Sequence, residues 1–95
     1  MYTPQKAIGT FSGTAADLTV TLGFKPVSVK LINITAGASL EHIEGMADGS
    51  GFKITGTPTA AYVASGCVTL TDNGFILGTD AFNGNGETIF YVAIG

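Results

Sequence analysis

The apolar positions of this chain fall at a spacing of two, in short runs separated by glycine, proline, asparagine and aspartate. From Asp17 to Leu22 the alternation is cleanest: Leu18, Val20 and Leu22 share one face, and Asp17, Thr19 and Thr21 share the other. That is the period of a strand with one covered face. Ala7–Ser12 is a shorter run of the same kind, bounded by Gly9 and Gly13. After Pro26, which fixes φ and removes a donor so that a strand begins behind it, Val27, Val29 and Leu31 alternate with Ser28 and Lys30. The phase then slips. Ile32 and Ile34 stand where polar residues are due, which implies either a bulge that re-aims the strand or a strand covered on both faces. Ala36-Gly37-Ala38 supplies a reversal, and Ser39–Glu44 returns as the antiparallel partner.

Further along, Gly45–Gly51 reads as a loop, with Asp48-Gly49 and Ser50-Gly51 as turn signals. Phe52–Thr55, Ala60–Ala64 and Cys67–Thr71 follow as brief strands. Asp72-Asn73-Gly74 is the strongest hairpin signal, because Asn-Gly readily takes the positive φ angles of a type I′ turn, and Phe75–Leu77 is its partner. A polar, glycine-rich loop over Gly78–Gly86 surrounds a lone Phe82. The last run, Glu87–Ile94, is apolar on both faces, Ile89, Tyr91 and Ala93 against Phe90, Val92 and Ile94, so it belongs at the centre of a sheet or under a partner. No helical period is sustained over about ten residues. The expectation is one all-β domain over residues 1–95, a compact antiparallel β-sandwich of about eight short strands of jelly-roll or Greek-key type, with residues 1–6 as an N-terminal arm.

Composition sharpens this picture. The 95 residues are 45% hydrophobic and only 12% charged, with a mean hydropathy of +0.41. A free small monomer carries about 25% charge, so part of this apolar surface is expected against another subunit. The net charge is −3, and all four cations are lysines. Without arginine or a clustered basic face, neither nucleic acid nor an anionic membrane is an expected partner. No charged-then-apolar leader and no apolar run of about 18 residues is present, which leaves the cytoplasm as the expected place of assembly.

Candidate chemistry is sparse. The single cysteine, Cys67, excludes an intrachain disulfide and a four-thiolate zinc site, and no base is arranged for it. Glu41-His42-x-Glu44 is the one cluster with chemical potential, since His42 and Glu44 share a strand face, but a metal or catalytic site needs further ligands or a nucleophile. A solvated strand end or a subunit contact is the expected role of His42. A glycosidase-like carboxylate pair would draw on Glu41 or Glu44 with Asp48. Asp72, Asn73 and Asp80 lack the ligand spacing of an EF-hand, and the sequon at Asn33 lies in a strand. Gly84-x-Gly86 precedes a strand, not the helix N-terminus a dinucleotide site requires. No enzyme activity, metal or cofactor is expected.

Several stretches taken together carry a resemblance: Leu22–Pro26 with Val29–Asn33, then Glu44–Gly49, then Leu70–Phe75 with Gly78-Thr79-Asp80, and Gly86–Ile89 onward to Gly95. They resemble small structural proteins of tailed bacteriophages that decorate or cement the capsid. The resemblance covers most of the chain from Leu22 onward and rests on turns and strand edges. It implies a non-enzymatic virion protein on the capsid exterior, binding the major capsid protein, associating as a homotrimer and stabilising the shell. The alternative is a receptor- or carbohydrate-binding module of a tail or fibre component, a reading weakened by the absence of tryptophan. The residues expected at subunit or capsid contacts are Tyr2, Ile32, Ile34, His42 and Phe82.

Overall fold

The computed structural model describes residues 5–56 and 59–95. Eight strands, all paired antiparallel, form a single sheet: β1 (Lys6–Ser12), β2 (Leu18–Thr21), β3 (Ser28–Asn33), β4 (Ala38–Ile43), β5 (Ser50–Ile54), β6 (Ala60–Thr71), β7 (Gly74–Leu77) and β8 (Thr88–Ile94). The order across the sheet is β1-β8-β3-β4-β5-β6-β7-β2. Strands β3 to β7 run as a meander of neighbours; β8 returns to lie between β3 and β1, and β2 closes the far side against β7. The all-β antiparallel fold expected from the alternation is present. Of the expected N-terminal arm, Lys6 already belongs to β1, and residues 1–4 lie outside the described residues.

The sheet curls so that its two ends face each other. Strands β8 and β7 lie five places apart in the sheet order, which on a flat sheet would separate them by about 24 Å. Yet Tyr91 of β8 and Phe75 of β7 meet edge to face with ring centroids 5.6 Å apart, and Phe11 of β1 lies 6.0 Å from the same Tyr91. One inner face therefore encloses the core, where Leu31, Leu40, Val68, Phe75, Leu77 and Ile89 are fully buried.

The bend is made in β6. Ala60–Val63 pairs with β5, whereas Val68–Thr71 pairs with β7, and the register jumps between Ser50 (opposite Val68) and Gly51 (opposite Val63). The residues between leave the ladder, and Gly66 takes a φ of 80° there. Its carbonyl accepts from Asp80 N at 2.9 Å, and the Cys67 carbonyl accepts from Gly78 N at 2.7 Å. Runs that the sequence presents as two strands, Ala60–Ala64 and Cys67–Thr71, are thus one strand with a corner, a known use of bulges.

Three expectations are corrected in detail. Strand β3 has no bulge at Ile32: its pairing with β4 and β8 is continuous through Asn33, and Ile34 N extends the ladder to the Thr88 carbonyl at 3.1 Å. The phase slip arises because a polar residue, Asn33, takes the inward position. Asn33 Nδ2 donates to the Phe82 carbonyl (2.9 Å) and to Glu87 Oε1 (2.8 Å), while its Oδ1 accepts from Thr35 N (3.0 Å) and Ala36 N (2.9 Å). Buried polar groups persist where every bond is made, and here they are. Next, the β6–β7 hairpin turns on Asp72-Asn73 and not on Asn73-Gly74, and neither turn residue has a positive φ, so the turn is not type I′. Gly74 is instead required by close approach, since a Cβ there would run into the Val20 carbonyl of β2. Finally, the loop after β7 is not a surface coil around a stray aromatic. Phe82 plugs the core, and the buried Asn83 beside it accepts from Thr14 N (2.8 Å) and donates to the carbonyls of Ala16 (2.7 Å) and Gly78 (2.9 Å).

Candidate binding surface on the outer sheet face

Because side chains alternate, filling the inner face of the curl commits every second residue to the outside. In this chain many of those residues are also apolar. The registers place Ile8 opposite Val92, Val92 opposite Lys30, Lys30 opposite Glu41, Glu41 opposite Phe52, and Phe52 opposite Tyr62. A second row runs from Thr10 through Phe90, Ile32, Ser39 and Ile54 to Ala60. Ile94, Ser28 and Ile43 begin a third. Ile8 is 67% exposed and Tyr62 57%, and Ile32, Ile34, Ile43, Phe52, Ile54, Phe90 and Ile94 are all between 38% and 57% exposed.

These nine side chains leave on the order of 800–900 Å² uncovered, at roughly 200 Å² for a fully exposed large side chain. The largest apolar patch of a typical monomer is about 300–600 Å². The face is not smooth. A groove of about 280 Å³ runs between Ile8, Ile32, Ile34 and Phe90, and one of about 330 Å³ lies between Ser28, Glu41, Ile43 and Ile94. Lys30 and Val92 border both.

Charge on this face is confined to its middle and edge. Lys30 and Glu41 are cross-strand neighbours near the centre and are both exposed, and Lys6 sits at the margin. Lys30 and Glu41 make no ion pair with each other. The one ion pair among the described residues is on the inner side, Lys53 Nζ to Asp80 Oδ2 at 2.7 Å, and the same Asp80 oxygen accepts from Phe82 N at 2.9 Å. That pair ties the Phe82 loop to β5.

The expected contact residues divide. Ile32 and Ile34 lie exposed on the outer face, beside the groove mouth formed with Ile8 and Phe90. His42 and Phe82 do not: they are 1% and 2% exposed, packed inside the chain's own core. The reason for His42 is its even position in β4, which points inward with Leu40, where its Nδ1 lies 2.8 Å from the Ser50 carbonyl. It is neither a solvated strand end nor an available contact. Tyr2 lies outside the described residues. Glu44 does not share a strand face with His42, since β4 ends at Ile43 and Glu44 is exposed beyond it while His42 is buried; with Glu41 outward, the Glu-His-x-Glu sequence does not assemble as a cluster, and no group of three potential metal ligands occurs among the described residues.

A polar recess of about 310 Å³ lies elsewhere, at the corner of β6, lined by Asp17, Gly66, Cys67, Thr69 and Gly78 among others. Its thiol is unsuited to nucleophilic work. Burial pushes Cys67 from 9.0 up to about 11, nearby Asp80 adds to the rise, and Lys53 opposes it only in part.

Sequence reasoning singles out two outer-face positions, Ile32 and Ile34, and misses Ile8, Phe52 and Tyr62. The usable signal is the register: once Phe90 and Ile94 are assigned to the outer face of a central strand, their cross-strand neighbours join them. No family model matches this chain, and neither a curated protein nor a solved structure is similar to it. No helix of the described residues is long and apolar enough to cross a membrane.

Proposed function

We propose that this protein is a non-enzymatic structural component of a tailed-bacteriophage virion that binds the capsid exterior and stabilises the shell. The observation that carries the reading is the apolar outer face, which exceeds what a small isolated domain ordinarily leaves exposed and fits a role in assembly. The sequence resemblance to decoration proteins supports the particular setting, with the major capsid protein as partner and a homotrimer as the associating unit. Assembly takes place in the bacterial host cytoplasm.

The mechanism is mass action. A protein that binds the mature shell and not its dissociated subunits stabilises each site by RT ln(1 + [L]/Kd), about 2.7 kcal/mol at a concentration 100 times Kd. Repetition over many sites multiplies the effect on the particle. No proton transfer, metal or covalent step is needed, and the buried His42 and the protonated Cys67 take no part.

The test is made on whole particles. Phage lacking the gene, heated or osmotically shocked beside the parent, lose integrity earlier, and labelling of intact virions finds hundreds of copies over the head. Equal survival overturns cementing, and a few copies at the tail identify instead the adhesin of a tail or fibre.

A further inference from the structure

We infer that the outer sheet face is a self-association surface, covered by a second copy of this chain. This deepens the reading above, since it rests on the same face as an assembly surface, but it gives that face to a second copy in a two-fold pair, in place of the capsid and of the trimer that the resemblance implies.

Three observations converge on a copy of the same chain. The first is area. On the order of 800–900 Å² of exposed apolar side chain matches the roughly 800 Å² per partner that a standard stable interface buries, so one face against its like is enough. The second is charge. The oppositely charged neighbours at the centre of the face, Lys30 and Glu41, make no ion pair among the described residues. When the face meets its own copy about a two-fold axis that runs along the strands between β3 and β4, Lys30 of one subunit falls opposite Glu41 of the other, so a pattern that is merely mixed in one chain becomes complementary in the assembly. A foreign partner would need an independently matched pair. The third is shape. Two grooves lie to either side of Lys30 and Val92, and Ile8 and Ile43, which help to line them, are well exposed and can pack against a facing copy. Sheets stacked in this way lie about 10 Å apart with interdigitating side chains.

The interface accounts for the composition. Burying that face removes from water nine of the large apolar side chains that the described residues leave exposed. It also gives β1 a role beyond that of an edge: Ile8, the most exposed large apolar residue among those described, projects from it onto this surface.

The experiment is sedimentation of the purified full chain between about 1 and 100 µM in low salt, with Lys30→Glu, Glu41→Lys and the double exchange, each first checked for the native far-ultraviolet circular dichroism spectrum. The native chain is expected above its 9.6 kDa monomer mass. Each single reversal sets like charges opposite one another and weakens association at least about ten-fold, and the double exchange restores it. Both effects shrink in high salt. A native chain that sediments as a monomer throughout, or single reversals that leave its association unchanged, overturns the inference. The single-reversal variants are also added to phage particles lacking the protein. If the reversals abolish attachment without altering the mass in solution, the face belongs to the capsid: self-association fails and the proposed function stands. If the reversals produce monomers but no virion carries the protein, self-association stands and the proposed function fails.

Discussion

Replacing Asn33 by aspartate exchanges an amide for a carboxyl on a buried side chain and tests the reading of β3. The native amide spends both N–H groups on acceptors, the Phe82 carbonyl at 2.9 Å and Glu87 Oε1 at 2.8 Å. In the Asn33→Asp variant an ionised carboxylate faces the same two oxygens. One lost bond is to a neutral acceptor, worth about 1 kcal/mol, and one to a carboxylate, worth about 1.5–3 kcal/mol. Placing two carboxylates side by side adds to that, for a total near 3–5 kcal/mol. The two bonds that Oδ1 accepts from Thr35 N and Ala36 N survive, which caps the loss. A domain of this size has about 5–14 kcal/mol in all, and with a urea slope of about 1–1.5 kcal/mol/M the unfolding midpoint falls by roughly 2–5 M. Burial and the neighbouring carboxylate raise the folded-state pKa of the introduced carboxyl above its unfolded value of about 3.9, so the folded state binds the extra proton more tightly. The variant's deficit is therefore least below about pH 4 and grows as the pH rises through the folded-state value. Glu87→Gln in the same background supplies a donor and recovers about 1–2 kcal/mol, in a double-mutant cycle that isolates the contact. Urea unfolding followed by circular dichroism from about pH 3.5 to 7 measures all of this. A deficit under about 1 kcal/mol at pH 7, or one that does not vary with pH relative to the native chain, refutes the argument.

Gly74→Ala drives a Cβ into the Val20 carbonyl and is expected to detach β2, costing at least about 2 kcal/mol in urea and removing amide-exchange protection from Leu18–Thr21 before the rest of the sheet. Phe82→Ala empties the plug and costs about 3–5 kcal/mol by the same unfolding measurement, with a larger fall than Phe90→Ala on the outer face of a subunit held monomeric by dilution. Cys67, with its thiol held up to about 11, reacts slowly with a disulfide reagent at pH 8 in the folded chain and rapidly in urea. Because its folded-state value lies above its unfolded one, it contributes stability that is intact below pH 9 and declines between pH 9 and about 11, an effect that Cys67→Ala removes.

Much of the fold could be read from alternation. Leu18, Val20, Val29, Leu31, Phe75 and Leu77 all face inward where the period of two puts them, and the two-faced terminal strand sits in the sheet interior as its composition demanded. The curl could not be read, because a corner inside β6 depends on the backbone of Gly66 in that strand meeting that of Gly78 just after β7, a contact that alternation does not encode. The site was half legible for a related reason. An inward Asn33 or His42 looks in sequence like an outward polar residue, since burial of a polar group is decided by partners such as Phe82 and Ser50 that local patterning does not reveal. That one ambiguity produced both the apparent phase slip at Ile32 and the misplacement of His42.

The position of β8 between β1 and β3 sets the order in which this molecule can be built. Lys6 pairs with Ile94, 88 positions later, and Ser28 pairs with the same Ile94, 66 positions later. The meander from β3 to β7 can form from local hairpins as it leaves the ribosome, but β1 has no partner until the final strand is made, and the free side of β3 stays open until then. Closing such loops costs entropy before any contact repays it, which makes the last step slow. For that interval the chain offers a neighbouring nascent chain the same unpaired edge that its own β8 will take. The late arrival of one strand therefore makes newly made chains vulnerable to exchanging β8 with one another, and crowded synthesis should reveal it as swapped, interlocked pairs.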